Sequence, residues 1–357
     1  MRTFALALGL LVAPATAQLS ANKDPVAPTP RIAEDGSNLL QVLAMTFDRV
    51  PMLGDRVWYQ AVPQDQGPPR IVRYQERIAV RPKPAGLDPE RPGDFALTLL
   101  AAGELGTQMS ASEVSLRQAA FRDHAGFLHY QRDFRVHDVR AAEANYRVAP
   151  MGSILKNGRV GRLFDLIPVG EGRSSYRLLV DQAEQVVLDW VEFDGQGRFV
   201  AAMGYEKGLA LGAGVTFPGS TQWWKPWVEL RRHDDVGEAG AVLGFEVRTP
   251  ETLPRGYALL SVRSARERTL GIDYAVLVYT DGLRNFYLCE SSSSATVGVL
   301  DPGTSPQQLV TVKRYRIGPV VQYLADYKGR STLLFGDFGE PVGDANKVPQ
   351  LLQQVIR

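Results

Sequence analysis

Between Asn145 and Glu206 the chain is a succession of short extended segments, each closed by glycine, asparagine or aspartate. NYRV is followed by GRLFDLIPV, SSYRLLVD, VVLDWVEF and RFVAAMGYE, with breaks at Asn157-Gly158, Gly170 to Gly172 and Asp194-Gly195. Regular short strands separated by such residues specify an antiparallel meander, because these residues reverse the chain at little steric cost. The side-chain pattern is less ordinary. A strand with one face in water alternates apolar and polar residues. Here Val186, Leu188 and Trp190 point one way, and Val187, Val191 and Phe193 the other, with Asp189 among them. In RFVAAMGY the two-residue period puts Phe199, Ala201, Met203 and Tyr205 on one face and Ala202 and Gly204 opposite. Both faces of the meander thus call for cover. One face packs on helices. The other is closed by protein or lines an apolar cavity, for which methionine and aromatic side chains are suited.

The start, MRTFALALGLLVAPATAQ, has a positive Arg2, an apolar run from Phe4 to Val12 and the small-x-small pattern Ala15-Thr16-Ala17. This pattern predicts a secretory signal peptide over residues 1–17, cleaved after Ala17, and hence a periplasmic or secreted protein. The apolar run is too short for a spanning helix. No cysteine follows it, so no lipid anchor of the bacterial lipoprotein type is expected. Cys289 is the only cysteine, which excludes an intramolecular disulfide and any cysteine-built metal site. Its neighbours in FYLCES are apolar, so a buried, inert thiol is expected. Lys plus Arg number 40 and Asp plus Glu 39, a net charge of +1. A balance this even argues against a nucleic-acid binder, which needs a basic excess to displace counterions.

The remaining organisation is α+β. Residues 18–37, with Pro25, Pro28 and Pro30, form a flexible leader. Ser37 offers an N-cap, and Leu39, Leu40, Leu43 and Phe47 recur at helical spacing over Asn38 to Arg49. Asp55 to Ala61, Arg70 to Val80 and Phe95 to Ala101 are strand-like, with the proline-rich loop 81–94 between the last two. Ala111 to His124 is a helix with a modest apolar face. Helices and meander together predict a domain over 38–215 with one large, curved antiparallel sheet. GLALGAGVTFPGSTQWWKPW and RRHDDVGEAG change the composition and place an inter-domain connection over 216–240. A second domain, 241–357, contains IDYAVLVYT and LRNFYLCE around Asp281-Gly282, a pair suited to a type I′ turn. It continues with strands over Leu309 to Ile317, Val320 to Tyr327 and Ser331 to Gly336. It closes on a helix whose one face carries Val348, Leu351, Leu352 and Val355.

Catalytic patterns are missing. G-x-S-x-G, H-E-x-x-H and the Walker A ending do not occur. His124 and His129 flank a Gly-Phe without a metal-ligating cluster. His233-Asp234-Asp235 could orient an imidazole, but in a charged, glycine-ended stretch it reads more simply as solvated connection. No catalytic residue, cofactor or metal is expected.

Family-specific patterns appear in the same meander. NYRV…GRVGRLFDLIPV…YRLLVDQAEQVVLDWVEFDGQGRFVAAMGYE resembles the core of the MucB/RseB periplasmic regulators and, more distantly, lipoprotein carriers of the LolA type. Shared features are an Asn-Tyr strand, a strand ended by Pro168, the Tyr-Arg-Leu strand Tyr176 to Asp181, and the Asp-x-x-Gly turn Asp194 to Gly197. TPETLPRGYALLSV (Thr249 to Val262) resembles the Leu-Pro-x-Gly-aromatic opening of the RseB C-terminal domain. VLVYTDGLRNFYL resembles that domain's Tyr-Ser-Asp-Gly-Leu hairpin, with Thr280 in place of Ser. Only the LLQVL…VWY pair carries the likeness through the first part of the mature chain, and the loop 81–94 and the Trp223-Trp224-Trp227 cluster depart from it.

The resemblance implies a two-domain, non-enzymatic binding protein: an open curved LolA-like sheet wrapping helices, with a smaller α/β C-terminal domain. It implies a periplasmic sensor in sigma-factor regulation and the envelope stress response, which binds the extracytoplasmic part of a membrane anti-sigma factor and is released by lipid or lipoprotein. On this reading Tyr176, Leu178, Trp190, Phe193, Phe199, Met203 and Tyr205 line an acyl-chain cavity. Trp223, Trp224 and Trp227 make a partner or inter-domain contact. The alternatives are a lipoprotein or lipid carrier of the LolA type and an extracytoplasmic hydrolase. A homo-oligomer stays open.

Overall fold

The computed structural model describes residues 31–62, 68–84, 91–104, 107–108, 110, 112, 115, 118, 121, 125–126, 128–206, 208–225, 230–267, 272–292, 311–317, 320–327, 329–336 and 349–356. The chain divides into two compact units, with the division after Lys225.

The larger unit is built on one antiparallel sheet. Its strands are β1 (Met52–Val62), β2 (Arg70–Pro82), β3 (Gly93–Glu104), β4 (Thr107–Gln108), β5 (Tyr146–Lys156), β6 (Arg159–Pro168), β7 (Ser175–Asp181), β8 (Val187–Phe193), β9 (Phe199–Tyr205) and β10 (Ala210–Leu211). Their order is β4-β3-β2-β1-β9-β8-β7-β6-β5, with β10 on the start of β1. The pairing of β1 with β9, Arg56 opposite Tyr205 and Trp58 opposite Met203, joins the first strands to the meander. The three strands expected over Tyr176 to Glu206 are present as β7, β8 and β9. Helix α1 (Leu39–Thr46) buries Leu39, Leu40, Val42, Leu43 and Thr46, and helix α2 (Val139–Asn145) is capped by Asp138, which accepts from the amide of Ala141 at 2.8 Å. Between them lies a π-helical turn, Leu128–Arg132. Within the helix expected over Ala111 to His124, the described residues Ser112, Ser115, Gln118 and Phe121 are helical.

Several local expectations change. Arg31 to Ser37, assigned to a flexible leader, is docked. The Arg162 guanidinium donates to the carbonyls of Ile32, Ala33 and Glu34, and the Ile32 amide donates to Gln185 Oε1 at 3.0 Å. The N-cap of α1 is Asn38 rather than Ser37. Its side chain is engaged by this same segment, accepting from the Ala33 amide and donating to the Arg31 carbonyl, and it makes no cap bond. Tight positive-φ turn geometry belongs to Asn157-Gly158, with φ of 50° and 79°, between the paired residues Lys156 and Arg159. Asp281-Gly282 is instead part of a four-residue turn. Thr280 pairs with Asn285, and Asp281 Oδ1 accepts from the amides of Leu283 and Arg284, which holds Asp281 out of the left-handed region.

The smaller unit carries a second antiparallel sheet: β11 (Leu230–His233), β12 (Ala258–Glu267), β13 (Ile272–Thr280), β14 (Asn285–Ser291), β15 (Thr311–Ile317), β16 (Val320–Tyr327) and β17 (Arg330–Gly336). Their order is β11-β12-β13-β14-β17-β16-β15. The stretch 216–240, expected to be connection, contains β11 and the start of helix α3 (Val236–Leu243). A reciprocal cap opens that helix: Asp235 accepts from the Glu238 amide and Glu238 accepts from the Asp234 amide. Helix α4 (Gln350–Val355) lays Leu351, Leu352 and Val355 on Leu277, Phe286, Leu288 and Leu334 of the sheet. Val348 of that expected face lies outside the described residues. Cys289 is buried, and burial pushes its thiol well above the usual range.

Candidate functional site

The strand register sorts the residues expected to line a cavity. Phe164, Leu178, Trp190, Met203, Trp58 and Tyr74 face one another in turn across six strands and form one row on the inner face. Tyr176 pairs with Glu192, and Tyr205 with Arg56, on rows of the same face. Tyr176, Leu178, Trp190, Met203 and Tyr205 therefore point inward together, and all five are buried. Phe193 and Phe199 do not join them. The pairing of β8 with β9 shifts between Glu192 and Phe193, leaving Val200 as an extra residue. Phe199 then lies opposite Phe193 on the outer face. One inserted residue reverses which side the rest of a strand presents, so the uninterrupted period assumed for RFVAAMGY fails at its first residue.

The outer face has cover of its own. The tip of the β5–β6 hairpin folds back over it: Lys156 pairs with Asp189 of β8, and Asn157 Nδ2 donates to the Tyr205 carbonyl of β9 at 3.2 Å. Gly204 of β9 permits the approach, because a Cβ there would come 3.2 Å from Lys156 Nζ and would run into the Asp189 carboxylate.

On the inner face a cavity of about 70 Å³ is walled by Leu43, Val80, Phe134, Trp190, Met203 and Tyr205, and also by Arg56, Asp48, His129 and Asp133. Tyr176 and Leu178 are packed beside it rather than in its wall. Ligand pockets for molecules of acyl-chain size are roughly 300 Å³ or more. An acyl chain enters only if the covering elements move.

One end of the cavity is a buried charge network that sequence reasoning did not find. Arg56, 1% exposed, donates from Nη1 to Asp133 Oδ2 at 2.8 Å and from Nε to Glu76 Oε2 at 3.2 Å. Arg132 Nη2 reaches the same Glu76 oxygen at 2.6 Å, with its guanidinium over the Trp58 ring. His129 faces Asp133 Oδ2 from Nδ1 at 3.0 Å and Asp48 Oδ1 from Nε2 at 2.8 Å. Burial pushes His129 down, but Asp48 and Asp133 outweigh it and hold the imidazole above its ordinary value. Burial pushes Asp133 up, but Arg56, His129 and Arg132 prevail and bring it to about 2. Burial raises the Tyr205 phenol to about 12. A trace of the network is present in RYQERIAV, where the strand period puts Glu76 between Tyr74 and Ile78 on the apolar face. HYQRD likewise spaces His129 and Asp133 four apart. The partners Asp48 and Arg56 are far away in sequence, and no local pattern announces them.

The tryptophan cluster resolves in part. Trp224 is buried in the larger unit, stacked on Phe95 at 5.2 Å, with its amide donating to the Phe95 carbonyl at 2.8 Å and Arg91 donating to its own carbonyl. Gly126 leaves the room, since a Cβ there would be 2.5 Å from the indole. Trp223 sits between Phe217 and the Arg81 guanidinium. Trp227 lies outside the described residues. In the loop 81–94, Asp94 gathers Arg81, Lys83 and Arg91.

In the smaller unit His233 Nε2 faces Ser264 Oγ at 2.8 Å, and Nδ1 lies 3.4 Å from Glu238. Ser264 is inside β12 with ladders on both sides, to Arg231 and to Ala275. Its backbone is committed to the sheet on both sides, so its amide is not free to act as an oxyanion donor. Among the described residues no group of three or more metal-ligating side chains is suited to a metal ion, and no helix is long and apolar enough to cross a membrane.

No family profile and no curated protein matches the chain. Solved structures similar to it include MucB in complex with MucA(peri), at 16% identity and a TM-score of 0.47 over 85% of this chain and 93% of that one. They also include the Pseudomonas aeruginosa MucA/MucB complex, at 14% identity and a TM-score of 0.46 over 90% of this chain and 96% of that one. The LolA superfamily protein NE2245 from Nitrosomonas europaea is similar at 11% identity and a TM-score of 0.18 over 68% of this chain and 91% of that one.

Proposed function

We propose that this chain is a periplasmic, non-enzymatic regulator that binds the extracytoplasmic part of a membrane anti-sigma factor. The observation that carries the reading is the order of two sequence signatures on two separate sheets. The Tyr-Arg-Leu strand and Asp-x-x-Gly turn are β7 to β9 of the larger unit, and the Val-Tyr-Thr-Asp-Gly-Leu hairpin is β13–β14 of the smaller. A lone carrier domain has no use for the second sheet. Lipid or lipoprotein acyl chains are the proposed releasing signal. They would act by linkage: a ligand that prefers the partner-free state lowers affinity for the partner. With only about 70 Å³ on the inner face, that ligand has to select a more open conformation, which is what a releasing signal requires and a carrier in transit does not.

The test is crosslinking of the tagged full-length protein in cell envelopes of its native host, followed by purification. The expected product is a single-pass membrane protein whose cytoplasmic part holds a sigma factor. Repeated recovery without such a protein overturns the regulatory reading. Recovery instead of acylated proteins, with acyl chains near one per chain by mass spectrometry, favours the carrier.

A further inference from the structure

We infer that His129 is a proton-dependent latch: as a doubly donating imidazolium it holds the π-helical turn against the inner face of the sheet, and loss of its proton frees the turn and opens the cavity behind it. The inference rests on the inner cavity alone and stands whether or not the partner proposed above binds.

Hydrogen-bond geometry carries the argument. Each ring nitrogen of His129 faces a carboxylate oxygen, Asp133 Oδ2 at 3.0 Å and Asp48 Oδ1 at 2.8 Å. A carboxylate oxygen only accepts, so both nitrogens must carry a hydrogen, which a neutral imidazole cannot supply. The charge count agrees. With His129 protonated, Arg56, Arg132 and His129 balance Asp48, Glu76 and Asp133. Without that proton the cluster holds one uncompensated carboxylate at positions 0–7% exposed.

The other groups around the ring do not take over its role. Tyr130 on the same turn and Tyr205 on β9 are phenols that burial pushes above their ordinary range, so neither exchanges a proton near neutral pH. Arg135 lies over the Phe47 and Tyr130 rings, and Arg91 is paired with Asp94. Phe47 and Phe95 cover the imidazole at centroid distances of 5.2 and 4.2 Å and keep water from it.

The latch joins separate elements. Asp48 follows α1, Arg56 is on β1, Glu76 is on β2, and His129, Arg132 and Asp133 belong to the turn and the residue after it. These bonds fasten the turn to the sheet at the cavity wall, where the buried Trp190 Nε1 and Asp133 Oδ1 have no hydrogen-bond partner. The sign follows. A proton bound preferentially by the closed state stabilises it at low pH, and the contribution is lost as pH rises through the closed-state value.

Two measurements on the full-length protein test this. ¹⁵N NMR of the histidine rings should show both nitrogens of His129 protonated at pH 7, with titration above the ordinary value of about 6.5. Uptake of cis-parinaric acid, a fluorescent apolar probe, should be weak at pH 6 and rise in the same one-proton step. Each unit by which the closed-state value exceeds the open-state value gives about tenfold tighter binding on the alkaline side. His129→Gln should abolish the step. Asp48→Asn, which leaves the cluster balanced with a neutral imidazole, should move it to lower pH and serves if His129→Gln does not fold. A His129 titration at or below about 6.5, uptake independent of pH, or a step surviving in His129→Gln overturns the latch.

Discussion

Arg56 shows how much one side chain can hold in a sheet like this one. It is 1% exposed and sits where two carboxylates, Glu76 and Asp133, enter the apolar face from different elements. Burying those charges is expensive, and the arrangement persists because the guanidinium serves both at once. Replacing Arg56 by Met keeps most of the volume and removes the charge. The expected loss is about 3–5 kcal/mol, the cost of leaving buried carboxylates without a counter-charge. Urea denaturation followed by tryptophan fluorescence measures it, and a change within about 0.5 kcal/mol, as for an ordinary surface substitution, refutes the role given to Arg56. Little of this is legible locally: the sequence holds only two traces, Glu76 as a charge at an apolar position of a strand and the four-residue spacing of His129 and Asp133. The partners of Glu76 are set by the pairing of β1 with β2 and by a turn far along the chain. The inward-facing Met203 and Tyr205 were legible, because the two-residue period is intact from Ala201 to Tyr205. Trp190 also points inward, although a second register shift leaves Leu188 unpaired two residues before it and turns Val187 to the row of Val180. Phe199 was misplaced because a single bulge, which nothing in the residue types of RFVAA marks, lies between it and Met203.

At the scale of elements, the β5–β6 hairpin departs most from what its sequence announced. NYRV was readable as a strand start, but β5 runs on to Lys156 and forms one edge of the sheet. Met151, Ile154, Leu155 and Val160 are exposed on this hairpin, Leu155 at 73%. An apolar edge strand is a template for pairing with another chain unless it is interrupted. Pro150 and the register shift beside it, at Met151, provide the interruption: proline offers no amide, and the bulge turns the backbone out of line. Pro150→Val should therefore raise self-association, read as a concentration-dependent dimer or larger species in sedimentation velocity. Sedimentation unchanged from the parent shows that the edge is protected by something else. The turns divide in the same way. Asn157-Gly158 and Asp281-Gly282 look equivalent in sequence, yet only the first adopts two positive φ angles, because the Asp281 carboxylate is occupied by the amides that follow it.

For the molecule as a whole, the class of structure was legible, and its closure was not. Short strands at regular spacing predicted antiparallel sheets in both halves of the chain, and two such sheets are present. The sequence does not reveal that the meander is fastened across itself. Lys156 to Asp189 and Asn157 to Tyr205 span 33 and 48 residues, and both fix the same hairpin tip. This clasp has a consequence for assembly. The hairpin forms from neighbouring residues, whereas its clasp waits until β7, β8 and β9 are laid down, since a contact costs more chain entropy the longer the loop it closes. The tip is then the last part of the meander to be secured and the first to come loose. Native-state hydrogen exchange should show peptides from the β5–β6 tip opening at lower free energy than those from β7 to β9. Equal protection would mean that the sheet closes in a single step.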